Sequence, residues 1–296
     1  MKNSNIVKIA ALTLMAAALM PIRANANPGD IYVSVNNSAH LPNGAIYDYT
    51  PNGGRGTVFA SGLNGPRGIT FDGAGNLFAS IGYAGTVVKF APDGTQSAVA
   101  SGLGFPEGLG FDSNGNLYVA DSGGTLYEIA PDNTVSTVFS ITGAFFFGVA
   151  VDGADNVYVA DVAAGVVYKF TGTLSTFTSV PGATGLAFDS AGNLFVSTQC
   201  ESFPGGNCID QGIGGKIVKI TPSGTQTTFA SGIGDGDLRG LAFDAFGNLF
   251  VADLAFAPNK AQPIANVYKI TPTGLVSVFT RALNSAQRAE FVTVQP

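Results

Sequence analysis

Tryptophan is absent from the 296 residues, histidine occurs once and cysteine twice. With His40 alone, multi-histidine metal centres are excluded, and no Ser-His-Asp set can be assembled from neighbouring motifs. Charge is also scarce. Asp, Glu, Lys and Arg make up 11% of the chain, 14 basic against 20 acidic, for a net charge of −6. That balance argues against nucleic acid or an anionic membrane as a partner. No apolar run reaches the roughly 20 residues that a spanning helix needs. Phosphate loops and nucleophile elbows are missing, and G-x-G-x-x-G matches carry no information in a chain with 40 glycines.

What is present begins with a leader pattern. Lys2 and Lys8 precede an apolar run from Ile9 to Met20, and Ala24-Asn25-Ala26 follows as an A-x-A site. This order predicts a signal peptide over residues 1–26, cleaved after Ala26, and a mature protein that is periplasmic or secreted, without membrane insertion. In such an oxidising compartment Cys200 and Cys208, within TQCESFPGGNCIDQG, are expected to form a disulfide. The small ring would stabilise one loop by about 2–3 kcal/mol on the chain-entropy estimate.

The strongest signal is a repeat. GITFDGAGNLFASI, GLGFDSNGNLYVAD, GVAVDGADNVYVAD, GLAFDSAGNLFVST and GLAFDAFGNLFVAD bring Asp72, Asp112, Asp152, Asp189 and Asp244 into register. A period of about 40 residues with alternating apolar positions marks a β-repeat architecture. Each unit holds four short strands, A to D, as in TGLAFD, NLFVST, GKIVKI and TQTTFAS, joined by turns such as DSAGN and TPSG. A four-stranded meander per repeat is a propeller blade. Strand B occurs six times, beginning with DIYVSV at 30–35, but strand A only five. AEFVTV at 289–294 is expected to supply the sixth, so that the C-terminal strand completes the N-terminal blade and closes the ring. The expectation is an all-β, six-bladed propeller of four-stranded antiparallel blades, a single domain over residues 27–296.

The five aligned aspartates read as turn-makers, accepting backbone N–H bonds two residues on. Asp155 stands where other copies have glycine and is among the few residues that tolerate the left-handed conformation. Because antiparallel turns alternate between ends, the A–B and C–D turns share one face and the B–C and D–A loops the other. The B–C segments 36–44, 199–215 and 254–266 are enlarged, which places binding on their face.

The GLAFDxxGNLYVAD signature resembles NHL-repeat propellers of the regucalcin/gluconolactonase type, over nearly everything after residue 29. The resemblance implies strand A innermost, and a ring of residues just before its glycine looking into the central channel: Arg67, Glu107, Phe147, Thr184 and Arg239, with Arg288 or Ala289 from the closing strand. In the resembling lactonases and esterases this layer holds a divalent cation through Glu, Asn and Asp. Here Glu107 alone matches that role; arginines stand at two positions, and Phe147 can ligate nothing.

Three readings of this ring stand side by side. Arg67, Glu107 and Arg239 form a structural ion cluster; or the arginines present donor forks to an anionic ligand that Glu107 orients; or Glu107 holds a metal. At the upper end of strand B, Asp121 and Asp161 either join Glu107 around a hard cation such as calcium or tie down their own B–C loops. Asp235 and Asp237, in GIGDGDLRG, are a D-x-D pair that can bind calcium or a solvated turn. His40 is a solvated loop residue or, by resemblance to the virginiamycin B lyase type, a base.

The expected function is binding of a small anionic ligand or a protein partner at the loop face, by Arg67, Glu107, Thr184 and Arg239, in a monomer without organic cofactor. The alternative is a metal-dependent lactonase or ester hydrolase, with Glu107 or His40 as catalytic residues and a divalent cation as cofactor. A carbohydrate- or wall-associated module would need an aromatic surface, to which the enlarged loops contribute only Phe203 and Phe256.

Overall fold

A computed structural model describes residues 27–37, 43–54, 56–199, 214–234, 236–254, 266–281 and 287–296. The repeat folds into six four-stranded antiparallel sheets. Blade I holds β1 (Ile31–Asn37), β2 (Gly44–Tyr49) and β3 (Thr57–Leu63). Blade II runs β4 (Pro66–Phe71), β5 (Leu77–Ile81), β6 (Thr86–Phe90) and β7 (Gln96–Ser101). Blade III runs β8 (Pro106–Phe111), β9 (Leu117–Asp121), β10 (Thr125–Ile129) and β11 (Val135–Ser140). Blade IV comprises β12 (Phe146–Val151), β13 (Val157–Asp161), β14 (Val166–Phe170) and β15 (Leu174–Ser179). Blade V comprises β16 (Ala183–Phe188), β17 (Leu194–Thr198), β18 (Gly215–Ile220) and β19 (Gln226–Ile233). Blade VI comprises β20 (Leu238–Phe243), β21 (Leu249–Asp253), β22 (Asn266–Ile270) and β23 (Val276–Arg281). The last strand, β24 (Gln287–Val294), pairs antiparallel with β1 from Ile31↔Val294 to Asn37↔Gln287, so the C-terminus completes blade I as the strand count requires.

Inner strands β4, β8, β12, β16, β20 and β24 pack in a closed ring, each against its two neighbours. Burial falls from the axis outward. The second strands of blades II to VI are buried at every position, whereas β7, β11 and β15 are mostly exposed. This gradient explains why LFASI, LYVAD and LFVAD read as continuous apolar runs while outer strands such as LSTFTS are polar. The core is therefore a set of layers between blades, such as Tyr158, Leu186, Leu194, Val196 and Ile220 between blades IV and V.

The aligned aspartates are turn-makers. Asp72 Oδ1 accepts the backbone N–H groups of Ala74 at 3.0 Å and Asn76 at 2.9 Å, and the pattern recurs at Asp112, Asp152, Asp189 and Asp244. Asp155 adopts φ 61° and also holds the neighbouring blade, accepting from Ser113 N at 2.9 Å and Ser113 Oγ at 2.7 Å. On the same face Lys169, Lys219 and Lys269 lie over Tyr158, Phe195 and Phe250 and within 4.0 Å of Asp152, Asp189 and Asp244.

Glycine in the inner strands is required by proximity. A Cβ at Gly148 would fall against the carbonyl oxygen of Thr184 in the next blade, and one at Gly68 against that of Glu107. Gly148→Ala is expected to cost about 1–3 kcal/mol, because a backbone atom cannot move aside as a side chain would. Gly153→Ala, where a Cβ meets nothing within 4 Å, should stay within about 0.5 kcal/mol of wild type. Urea denaturation of the two variants checks the contrast.

Candidate functional site

The channel ring is built by a register that every blade shares. Pro66 pairs with Ile81, Pro106 with Asp121, Phe146 with Asp161, Ala183 with Thr198 and Leu238 with Asp253, each followed by a bulge. In blade I the equivalent pair is Val35↔Ala289. The sixth ring residue is therefore Glu290, not Arg288 or Ala289, and Phe291 takes the place that glycine holds elsewhere. Aligning AEFVTV on PEGLGF without a gap sets Glu290 beside Glu107, a signal present in the sequence.

Serines of the second strands fix this layer. Ser34 Oγ donates to Arg67 O at 2.6 Å, Ser80 Oγ to Glu107 O at 2.5 Å and Ser197 Oγ to Arg239 O at 2.5 Å, each bond reaching into the next blade. Arg67 projects between two carboxylates from the flanking blades. Its Nη1 lies 2.8 Å from Glu290 Oε1 and its Nε 4.0 Å from Glu107 Oε2, and both glutamates are only 2% exposed. The guanidinium also covers Phe105 and Tyr83, at 5.1 and 5.9 Å from the ring centres. Arg239 pairs with Asp237, Nε to Oδ1 at 2.9 Å and Nη2 to Oδ2 at 3.1 Å, and lies 4.9 Å over Phe147. Blades I and IV face each other across the axis, and there Phe147 stacks on Phe291 with centroids 5.1 Å apart and planes 15° off parallel. This layer of the channel is closed by aromatic rings.

Arg67 thus lies beside Glu107, while Arg239, at the same register two blades from Arg67 around the ring, takes Asp237 as its carboxylate partner. Thr184 does not face the mouth: it is fully buried, and its hydroxyl donates to Leu238 O at 2.7 Å and contacts Ser197, joining blades V and VI. Asp121 and Asp161 tie down loops. Asp121 accepts from Phe105 N at 2.7 Å and Gly123 N at 2.8 Å; Asp161 accepts from Phe145 N at 3.1 Å, Ala163 N at 3.0 Å and Ala164 N at 3.2 Å. Among the described residues, no three of His, Cys, Asp and Glu converge as a metal-holding group. The donor set does not fit a channel cation of the kind the resemblance implies. The Asp121 and Asp161 carboxylates are committed to N–H groups, and a guanidinium already stands between Glu107 and Glu290. His40, Asp235, Cys200, Cys208, Phe203, Phe256 and residues 1–26 lie outside the described residues. The described mouth contributes aromatics that the loop count passed over: Tyr83, Phe105 and Phe145, the last 37% exposed.

No family model matches the chain, and no curated protein does. Solved structures do. A catalytically inactive virginiamycin B lyase from Staphylococcus aureus aligns with TM-score 0.62 at 15% identity, over 90% of each chain. A gluconolactonase from Xanthomonas campestris aligns with TM-score 0.61 at 15% identity, again over 90% of each. A chain of a nidogen/laminin complex reaches TM-score 0.67 at 14% identity, over 90% of this chain and 99% of that one. At such identities the likeness establishes the fold, which hosts unrelated functions.

Burial pushes the Glu107 carboxyl up to about 8, with Glu290 and Asp121 adding to the rise and Arg67 and Arg239 opposing it. For Arg67, burial works against the charge, but Glu290 and Glu107 outweigh it and hold the guanidinium protonated. An acid raised from 4.5 to about 8 holds more proton folded than unfolded between those values. Its contribution to stability is complete below 4.5 and is lost as pH rises through the folded pKa. Melting temperatures of wild type and Glu107→Gln should therefore diverge across that window, the variant gaining on wild type toward its alkaline end. Parallel pH profiles would refute the assignment.

Proposed function

We propose that this propeller is a binding module, exported after cleavage at Ala26, that takes a small acidic ligand or an acidic side chain of a protein partner at the loop face above the closed channel. The observation that carries the reading is the occupancy of the ring centre. Arg67 fills the space between Glu107 and Glu290, and the Phe147–Phe291 stack fills the axis. A hydrolase that polarises a carbonyl on a channel cation needs oxygen donors at those positions.

The arrangement above this floor suits recognition. The side chains of Arg67 and Arg239 retain 13% and 15% of their exposure, enough to present guanidinium edges to the mouth. Each guanidinium carries five donors, of which the contacts to Glu290 and Asp237 use a few. Beside them Phe105 and Phe145, each just ahead of an inner strand, offer apolar surface for the body of a ligand. A planar acid fits both features, a bidentate fork for the carboxylate and a ring for the rest.

Calorimetric and ligand-observed NMR titration of a carboxylate fragment set into mature protein tests the proposal. A binder weakened about tenfold by Arg239→Ala is expected, since a charge-assisted pair contributes on that scale. Hydrolysis of an aldonolactone or aryl ester that requires calcium, zinc or manganese and is lost in Glu107→Ala would overturn it. N-terminal sequencing of the secreted or periplasmic fraction should begin at Asn27.

A further inference from the structure

We infer that the face opposite the loops, where the A–B and C–D turns lie, docks on an uncharged lipid surface through Phe246 and Leu275 of blade VI. The inference uses the export proposed above but not the ligand at the loop face.

These two are the most exposed large apolar side chains among the described residues, at 84% and 69%. Phe246 stands in the turn between β20 and β21 and Leu275 in that between β22 and β23. The turns adjoin, since a Cβ on Gly247 would lie 3.5 Å from Pro272. Neither turn needs an apolar residue. Phe246 N donates to Asp244 Oδ1 at 2.9 Å and Leu275 N to Thr271 Oγ1 at 3.1 Å, the same bonds that Ala191 and Thr225 make at the equivalent positions of blade V. Adjacent apolar side chains that build nothing mark a contact surface.

Charge, extent and chain path say what covers them. The C–D turns of blades V, VI and I read TPSG, TPTG and TPNG, whereas those of blades II and III read APDG and APDN, with Asp93 and Asp132 exposed. Beside the patch Lys269 already lies 3.9 Å from Asp244. An uncharged surface suits this side, and a net charge of −6 disfavours an anionic one. Two side chains cover far less than the roughly 800 Å² that each partner of a stable protein complex buries. Attachment to a bilayer grows with the apolar area inserted and needs no matched shape. The start of the domain lies here too. A Cβ on Gly29 would lie 3.5 Å from Pro51, and one on Gly53, in the same turn as Pro51, 2.8 Å from Phe279 O of blade VI. A precursor held in the membrane by its leader therefore presents this face to lipid, and the mature protein docked the same way keeps the loop face toward solvent. The attachment is peripheral, two side chains deep, with no spanning segment.

The chain from Asn27 is sedimented with phosphatidylcholine vesicles, with and without phosphatidylglycerol, as wild type and as Phe246→Ala/Leu275→Thr, which gives blade VI the turn residues of blade V. Wild type is expected to partition onto the neutral vesicles and to gain nothing from phosphatidylglycerol. The double variant should bind at least about tenfold more weakly, since each inserted side chain contributes on that scale, while its melting temperature stays that of wild type. As the chain has no tryptophan, Phe246→Trp reports insertion directly: its emission should shift to the blue with vesicles and be quenched by brominated lipid, and that of Val135→Trp on blade III should do neither. The inference is overturned if wild type stays off neutral vesicles or if the double variant binds as well as wild type. It is overturned also if sedimentation equilibrium without lipid shows a self-association that the same substitutions abolish, for then a second copy is the occupant. N-terminal sequencing decides the export separately, and a start other than Asn27 leaves the vesicle result standing.

Discussion

Six inner strands approach one another so closely that a Cβ on four of their glycines would meet the carbonyl oxygen of the next strand, and one on Gly240 would meet Phe291, and the centre of this molecule follows from that proximity. Glycine in five blades lets the backbones touch. The narrow axis that results has room for few side chains, and the residue before each glycine is held at its edge by a backbone carbonyl that, in blades II, III and VI, accepts a serine hydroxyl from the neighbouring blade. The one inner strand without the glycine is β24, and its Phe291 crosses the axis to stack on Phe147. Ring closure and channel closure are the work of the same strand.

Proximity also sets the electrostatics. Charges confined to a dry hole interact far more strongly than on the surface, and each must be matched or neutralised. The four charged members of the ring, Arg67, Glu107, Arg239 and Glu290, do this with Asp237 added from the loop above. Burial raises the Glu107 carboxyl to about 8, with Glu290 and Asp121 adding to the rise and the two arginines opposing it. The arrangement is an ion cluster in which the state of Glu107 follows first from its burial and then from the neighbouring charges.

Fold was legible because it is written many times over. Asp-x-x-Gly-Asn turns, apolar second strands and a missing sixth copy of strand A together force a six-bladed ring closed by its own C-terminus. The site was legible where it follows the repeat: Arg67, Glu107, Phe147 and Arg239 occupy one register. It was less legible where the repeat degenerates. Glu290 was displaced because strand β24 lacks the glycine that anchors the frame. Thr184 shares the register yet bonds across to Leu238, because a short hydroxyl finds backbone acceptors before it reaches the axis. Of the two readings given to Asp121 and Asp161, the hydrogen bonds agree with the one in which each ties down loops, because the alternation of strand ends brings loop N–H groups to them.

Repeats with a common backbone make the exceptions informative, since a residue that departs from its five equivalents is not needed to build a blade. Phe291 stands in place of glycine and stacks on Phe147 across the axis, while Arg67 pairs with Glu290 at its edge. Each alone would be costly there. A buried guanidinium needs carboxylates, buried carboxylates need a counter-charge, and a phenyl ring across the axis needs a flat partner. Together they offset part of that cost, with Arg67 Nε, Glu107 Oε2 and Glu290 Oε2 still buried without a hydrogen-bond partner, and one layer higher Phe105, Phe145, Asp237 and the side chains of two arginines reach solvent.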